Sequence, residues 1–226
     1  MKFFERQLEH LISLIVLVFG VYWASRAEGV LSGGLYGLDT ALWFWLAITI
    51  PIAHQVFVWI TWRAELHYST ITRIFGDCGF IYYSVVFMLL LIARPIAIAF
   101  LASSNQGSLH IDPRVLNIIA LVLLIPILYL LYCVVKYFGM KRALGIDHFD
   151  AGYREKPLVR KGIFKYANNS MYVFGLLILW LPGLLLASKA ALLAALFGHV
   201  YIWVHYYTVE LPDMRYIYGS KEEGSS

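Results

Sequence analysis

Long apolar runs alternate with short polar segments along the whole chain. A helix of about 20 apolar residues crosses the roughly 30 Å hydrocarbon core of a bilayer. Six runs are candidates for such helices, the last two of them short, and they cover residues 8–25, 41–62, 79–101, 115–138, 171–187 and 190–207. The pattern predicts an all-α fold, a polytopic membrane helical bundle with about six transmembrane helices.

Composition supports a membrane protein. Hydrophobic residues make up 61% of the chain and charged residues 14%, which excludes a soluble globular domain. Lys2 and Arg6 precede the first apolar run as they would in a signal peptide, but no small-residue cleavage pattern follows the run. We therefore expect this run to remain in the protein as a helix.

Basic residues are distributed unevenly between the polar segments. Most of them lie before the first run, between the second and third, between the fourth and fifth, or after the last, whereas Arg26, Arg114 and Lys189 occupy the other segments. The positive-inside rule thus predicts that both termini are cytoplasmic. The net charge of +4 suits contact with anionic lipid headgroups, and no basic helix or aromatic platform of a nucleic-acid-binding kind is present.

The segment from Gly139 to Ser170 is too charged to cross a bilayer, and glycine and proline residues divide it into short pieces. Apolar residues recur among its charges, so we expect an ordered interfacial loop on the cytoplasmic face. The first three runs contain many aromatic residues and few candidate catalytic or binding groups. We therefore divide the chain into accessory N-terminal helices, residues 1–114, and a functional core, residues 115–226.

Two polar clusters flank the last two runs. One covers residues 157–175 and the other residues 210–215. The two runs between them predict a C-terminal helical hairpin, which would bring both clusters to the same membrane face. Helical spacing also places four positions of the last run on one face, namely His199, Trp203, Tyr206 or Tyr207, and Glu210.

Three motifs follow one another in this part of the chain. They are Gly162-Ile-Phe164-Lys-Tyr166, then Asn168-Asn169-Ser170-Met171-Tyr172, then Glu210 with Ile217-Tyr218-Gly219. Over about residues 115–219 the chain resembles the integral-membrane methyltransferases that include the phospholipid N-methyltransferases and the isoprenylcysteine carboxyl methyltransferases. Ser170 stands where that superfamily has proline, Val209 replaces the first of two glutamates, and Asn169 replaces the histidine of the isoprenylcysteine branch. The asparagine favours the phospholipid branch.

The resemblance implies methyl transfer from S-adenosylmethionine to a lipid or lipid-like acceptor. This donor carries a sulfonium, an ammonium and a carboxylate, so its site needs an acidic group, aromatic faces and hydrogen-bond donors. The residues expected to supply these groups are Lys165, Tyr166, Asn169, Tyr172, His199 and Glu210. Of these, Glu210, Asn169 and Tyr172 are the expected catalytic residues, with Glu210 either anchoring the donor's ammonium or accepting a proton from an attacking amine.

Each of these residues also has a structural interpretation. Glu210 can be a solvated helix-end carboxylate or pair with Arg215. Tyr166 and Tyr172 can belong to the aromatic belt of a membrane interface, and His199 can make an inter-helix hydrogen bond. Separately, Arg94 inside the third run must reach the membrane surface, pair with a carboxylate or face a polar cavity.

Two other classes of protein remain open. One is an NADPH-dependent membrane reductase of the steroid and sterol type, which shares a Gly-x-Phe-x-Tyr segment. The other is a non-catalytic membrane module. No metal site is predicted, and Cys78 and Cys133 are interpreted as packing residues. The identity of the acceptor and the oligomeric state are left open.

Overall fold

The protein folds almost entirely into helices, together with one very short β-hairpin. The computed structural model describes residues 3–157, 159–167 and 169–222. Its α-helices are α1 (Gln7–Ser25), α2 (Thr40–Tyr68), α3 (Thr70–Phe75), α4 (Gly79–Ser104), α5 (Pro113–Cys133), α6 (Met140–Ala143), α7 (Ala151–Arg154), α8 (Ser170–Val173), α9 (Leu181–Leu185), α10 (Lys189–His205) and α11 (Leu211–Glu222). The strands β1 (Gly34–Leu35) and β2 (Leu38–Asp39) pair antiparallel. The predicted all-α membrane bundle is confirmed.

Within the described residues, five helical stretches are long and apolar enough to cross a membrane. They are Gln7–Ser25, Thr40–Tyr68, Thr70–Ser104, Pro113–Phe138 and Lys189–Gly219. They correspond to the first four and the last of the predicted runs, so the protein is an integral, multi-pass membrane protein.

The remaining predicted run forms a shorter apolar stretch, Ser170–Leu185. It consists of α8, a 3-10 turn at Gly175–Leu179, and α9. At about 1.5 Å per residue it reaches roughly 24 Å, less than the full hydrocarbon thickness. The C-terminal hairpin therefore has one short, segmented arm and one arm of spanning length, the stretch Lys189–Gly219 that begins with α10.

Three of the long helices begin at side-chain caps. Asp39 accepts a hydrogen bond from the Leu42 amide at the start of α2, and Asp112 precedes Pro113 at the start of α5. Ser188 caps α10 in the same way. Each cap satisfies a backbone amide that has no partner within its helix. The polar residues between the apolar runs thus set the helix starts.

The main core lies between the N-terminal helices and α10. Phe44, Leu101, Phe197 and Tyr201 are completely buried there. The alanines of α10 in this core, Ala190, Ala191, Ala194 and Ala195, are small enough to let neighbouring helices approach closely. Residues from both sides of position 115 therefore share one core, and the division of the chain at that position stays a prediction.

One end of the bundle is organised around Asn105, which is buried. Its Nδ2 donates to the carbonyls of Gly29 and Ser32, and its Oδ1 accepts from Ser188 and from the amide of Ala190. The segments after α1, α4 and α9 therefore meet at one face.

The opposite end is organised around Arg63 at the end of α2. Its guanidinium donates to the carbonyls of Glu5 and Thr208 and to the carboxylate of Asp213. His148 of the 139–170 segment also contacts Asp213. The N-terminal segment, the interfacial loop and α11 therefore share this face, which we call the Arg63 face; that it is cytoplasmic stays a prediction.

Candidate active site

A hydrogen bond joins the two polar clusters that the sequence places on either side of the hairpin. Tyr172, on α8, donates its phenolic hydroxyl to Oε2 of Glu210, which follows α10. The two residues are separated by the whole hairpin, 38 positions in the chain. The expectation that the clusters meet at one membrane face is therefore confirmed by this contact.

Glu210 lies in a π-helical turn, Tyr206–Glu210, between α10 and α11. Pro212 has no amide hydrogen, so it cannot donate to the carbonyl of Thr208 one helical turn earlier. The Thr208 carbonyl instead accepts from Arg63, and the neighbouring Tyr207 carbonyl accepts from Arg6. Wide turns of this kind are frequent at functional sites. The two arginines hold the backbone that presents Glu210.

Aromatic rings surround the phenol of Tyr172. Its ring centroid lies 6.1 Å from that of Trp203 and 5.9 Å from that of Tyr206, both in edge-on arrangements. These three residues and Glu210 are each partly exposed. A carboxylate beside accessible aromatic faces is suited to binding an organic cation.

His199 lies on the same helix, one turn before Trp203. Its Nδ1 accepts a hydrogen bond of 3.1 Å from the indole of Trp180. This bond links the two arms of the hairpin, which is the structural role considered for the histidine. His199 is partly exposed, and its second ring nitrogen can also form a hydrogen bond.

The other predicted site residues lie on the turn that leads into α8. Asn169 is partly buried, and its carbonyl accepts from the amide of Tyr172. Lys165 and Tyr166 are exposed, the latter at 79%. Among the residues that the structure describes, the bond from Tyr172 to Glu210 is the one side-chain hydrogen bond that joins two of the six predicted site residues. Asn168 lies outside the described residues.

The shape of that turn follows from its contact with α5. Gly162 has a φ of +60°, and a Cβ at this position would lie 2.6 Å from Sγ of Cys133. The amide of Ile163 donates to the same sulfur, and the hydroxyl of Ser170 donates to the Ile163 carbonyl. A serine in place of the superfamily's proline thus closes the turn with its side chain, and the buried Cys133 packs beneath it.

A second, fully buried cluster lies beside the site and was not predicted from the sequence. Asp213, three residues after Glu210, pairs with Arg63 at 3.1 Å and lies 3.5 Å from Nε2 of His148. The His148 ring stacks on Trp62 with centroids 4.0 Å apart. Asp213 lies within electrostatic range of Glu210. The polar 210–215 cluster was the only sequence signal for this site.

The interfacial loop is tied to the C-terminal helix. Tyr218 donates to Oδ1 of Asp147 at 2.8 Å, and Arg142 lies 3.5 Å from the same carboxylate. Arg142 also donates to the carbonyls of Tyr153 and Pro157. The loop is therefore ordered, and the tyrosine of the Ile217-Tyr218-Gly219 motif fastens it over the end of the bundle.

Arg94 does not reach the membrane surface. It is 3% exposed, and α4 continues beyond it to Ser104. Among the residues that the structure describes, none is a hydrogen-bond partner of its Nε or Nη2. As for metals, no group of three or more histidine, cysteine or acidic side chains within the described ranges is arranged to hold an ion.

Comparison with known proteins gives a match to one protein family model. Residues 115–221 match the family model described as phospholipid methyltransferase. Searches of the curated proteins and of the solved structures each returned no significant match. The matched range contains α6 to α10, most of α5 and of α11, the interfacial loop, and both residues of the Tyr172–Glu210 pair.

Proposed function

We propose that this membrane protein is a methyltransferase that moves a methyl group from S-adenosylmethionine to the amine of a phospholipid. The match of residues 115–221 to the phospholipid methyltransferase family model supports the coarser function, methylation of a lipid in a membrane. The donor, the class of acceptor and the residues that bind them are our proposal.

The observation that carries the proposal is the hydrogen bond between Tyr172 and Glu210 within a partly exposed aromatic cluster. When bound, S-adenosylmethionine supplies a methyl group activated by a sulfonium. Glu210 offers the negative charge that the donor's ammonium requires. Trp203 and Tyr206 offer ring faces for a cation. These residue types fit the donor.

Four further residues are proposed to complete the site. Lys165, Tyr166 and Asn169 precede Tyr172 on the turn, where they are proposed to contact the donor's carboxylate and cation. His199, one helical turn before Trp203, is proposed to contact the donor as well. Of the four, Asn169 and His199 are partly buried, and Lys165 and Tyr166 are exposed.

In the proposed reaction the neutral amine of the lipid attacks the methyl carbon, the bond from that carbon to sulfur breaks, and one proton leaves the nitrogen. Glu210 is proposed either to hold the ammonium of the donor or to accept that proton. Alignment of the reacting atoms and exclusion of water supply most of the rate in such a displacement. The interfacial loop, fastened by Tyr218, is placed to exclude water.

Asn169 and the family's description favour a phospholipid amine over a prenylated cysteine as acceptor. The concentration of basic residues in the segments of the Arg63 face favours a cytoplasmic site, where a water-soluble donor is available. The lipid would arrive laterally from the same leaflet.

A ligand-binding experiment distinguishes the proposed donor from the nucleotide of a reductase. Purified full-length protein is heated with S-adenosylhomocysteine, with NADPH or with neither. A ligand at about 100 times its dissociation constant stabilises the folded state by about 2.7 kcal/mol. We expect stabilisation by S-adenosylhomocysteine alone. Stabilisation by NADPH alone would replace the proposal with the reductase, and no stabilisation by either would favour a non-catalytic module.

A second experiment identifies the acceptor. The protein is incubated with methyl-labelled donor in bilayers that contain phosphatidylethanolamine, and lipid and protein fractions are then separated. We expect label in the phospholipid fraction. Label in a prenylated cysteine substrate, with none in phospholipid, would assign the protein to the other branch.

A further inference from the structure

A groove of about 840 Å³ runs between α4 and the interfacial loop, away from the Tyr172–Glu210 pair. One wall is α4, which lies outside the family-matched range, and the other consists of residues from 141 to 150. Its volume falls in the range of ordinary small-molecule sites, about 300–1,000 Å³. We refer to it as the α4 groove.

The α4 wall of the groove is an apolar strip with helical spacing. Its members recur every three to four residues, so they form one face of the helix: Phe80, Ile81, Ser84, Val85, Met88, Leu89 and Ile92. From Phe80 to Ile92 the strip rises about 18 Å at 1.5 Å per residue. This is close to the depth of one leaflet, about half of the 30 Å hydrocarbon core. An acyl chain lying along α4 has the length and polarity to cover the strip.

Charged groups line the other end of the groove. Asp77 precedes α4, and Lys141 and Asp150 lie on the loop; all three are exposed. Within the described part of the chain, no ion pair joins Asp77 or Lys141 to an opposite charge within 4 Å. Asp150 uses Oδ1 to cap α7. A headgroup with a phosphate and an ammonium complements a set of one cation and two carboxylates.

The groove adjoins the candidate active site through a chain of packed rings. Phe149, which lines the groove, packs on Tyr83 with centroids 5.0 Å apart, and Tyr83 accepts a hydrogen bond from Trp62. Trp62 stacks on His148, which contacts Asp213 near Glu210. A continuous chain of packed side chains therefore connects the groove to the residues that carry the proposed function.

We propose that the α4 groove binds a zwitterionic aminophospholipid, with one acyl chain along α4, its phosphate at Lys141 and its ammonium at Asp77 and Asp150. In this arrangement the N-terminal helices recruit the acceptor, and the family-matched part performs the transfer. The recruitment role rests on the proposed function, whereas the binding of the lipid does not.

Two adjacent valines provide a matched test of the apolar wall. Val85 lines the groove, and Val86 does not; both are partly exposed, at 53% and 40%. Val85→Trp should fill the groove, whereas Val86→Trp places the same bulk on another face of α4. Full-length protein is purified from bilayers containing phosphatidylethanolamine, and retained lipid is counted by native mass spectrometry. We expect at least fivefold less retained lipid in Val85→Trp and no change in Val86→Trp. Equal retention in both variants would overturn the groove as a lipid site.

The charged end of the groove, formed by Asp77, Lys141 and Asp150, is tested with lipids of identical acyl chains. Phosphatidylethanolamine and phosphatidylglycerol both carry a phosphate, but only the former carries an amine. We expect preferential retention of phosphatidylethanolamine, and loss of that preference in the double variant Asp77→Asn with Asp150→Asn. Equal retention of both lipids by the unmodified protein would overturn the headgroup assignment.

Enzyme kinetics test whether the α4 groove recruits the lipid acceptor. If the protein methylates phospholipid, Val85→Trp should raise the KM for lipid at least fivefold while the KM for the donor stays unchanged. Methylation with an unchanged KM for lipid would remove the groove from the reaction and leave the proposed function intact. Absence of methylation on any lipid would overturn the proposed function, and the retention difference between the two valine variants would still decide whether the groove binds lipid.

Discussion

Arg63 of α2 and Asp213 of α11 form an ion pair of 3.1 Å in which both side chains are fully buried. They are 150 positions apart in the chain. The remaining guanidinium nitrogens donate to the carbonyls of Phe3, Glu5 and Thr208, so the cation is fully bonded. The pair therefore joins an N-terminal helix to the turn that presents Glu210.

Removal of one member of this pair should strongly destabilise the protein. Asp213→Asn leaves the Arg63 cation buried without its counter-ion, for which we expect a loss of about 3–5 kcal/mol in unfolding free energy. The measurement is chemical unfolding in detergent micelles. Arg215→Met is the control, because Arg215 is exposed, and its effect should stay within about 0.5 kcal/mol. A loss below about 1 kcal/mol in Asp213→Asn would show that the pair does not join the two parts as described.

Glu210 should contribute more to donor binding than Tyr172 does. Glu210→Gln removes a charged partner worth about 1.5–3 kcal/mol, so the affinity for S-adenosylhomocysteine should fall by about 10- to 100-fold. Tyr172→Phe keeps the aromatic ring and removes only the hydroxyl, so its loss should stay below about tenfold. Calorimetric titration measures both.

Glu28→Gln is the matched control for that series, because Glu28 is an exposed carboxylate at the end of the bundle organised by Asn105. Its affinity for the ligand should equal that of the unmodified protein. If Glu210→Gln also binds S-adenosylhomocysteine with unchanged affinity, Glu210 is not a donor contact.

Hydropathy and the position of the polar clusters were sufficient to predict several features of this molecule. The five long helices follow from apolar runs of spanning length. The meeting of Tyr172 with Glu210 follows from connectivity alone, because a hairpin returns its two ends to the same membrane face. The stretch at 170–185 is segmented because Gly175 and Pro182 interrupt a run that is already short.

Side-chain partners across the bundle could not be predicted in the same way. Arg63 and Asp213 meet because of the rotation of α2 about its axis and the π-helical turn after α10, and neither is determined by hydrophobic periodicity. The exposure of Lys165 and Tyr166 likewise follows from a 3-10 turn that buries Ile163 and Phe164 against α5. Such local turns depend on tertiary contacts that a single sequence does not contain.

Gly162 should be far less tolerant of a side chain than Gly107, although both have positive φ values. A side chain at either position is strained by that backbone conformation. At Gly107 a Cβ meets nothing within 4 Å, whereas at Gly162 it would lie 2.6 Å from Sγ of Cys133. We therefore expect Gly162→Ala to lose about 1–3 kcal/mol more unfolding free energy than Gly107→Ala.

The cause of that difference can be tested in a Cys133→Ala background. Removal of the sulfur should recover a substantial part of the extra loss in Gly162→Ala, since the closest contact is gone. Thermal unfolding of the four combinations measures the coupling between the two positions. Equal losses in Gly162→Ala and Gly107→Ala would mean that the turn does not pack on α5 as described.

Arg94 presents the opposite case from Arg63, because it is a buried arginine whose Nε and Nη2 have no hydrogen-bond partner in the described part of the chain. Its Nη2 lies 3.5 Å from the position of a Cβ on Gly198, so α10 makes room for the group without neutralising it. Replacing an unpaired buried cation with an apolar side chain of similar length removes a desolvation penalty. Arg94→Met should therefore be neutral or should raise the unfolding free energy by up to about 4 kcal/mol.

Arg26→Met, at an exposed arginine, is the control, and its effect on the unfolding free energy should stay within about 0.5 kcal/mol. A loss of more than about 2 kcal/mol of unfolding free energy in Arg94→Met would instead show that the Arg94 guanidinium has a pairing partner in the folded protein.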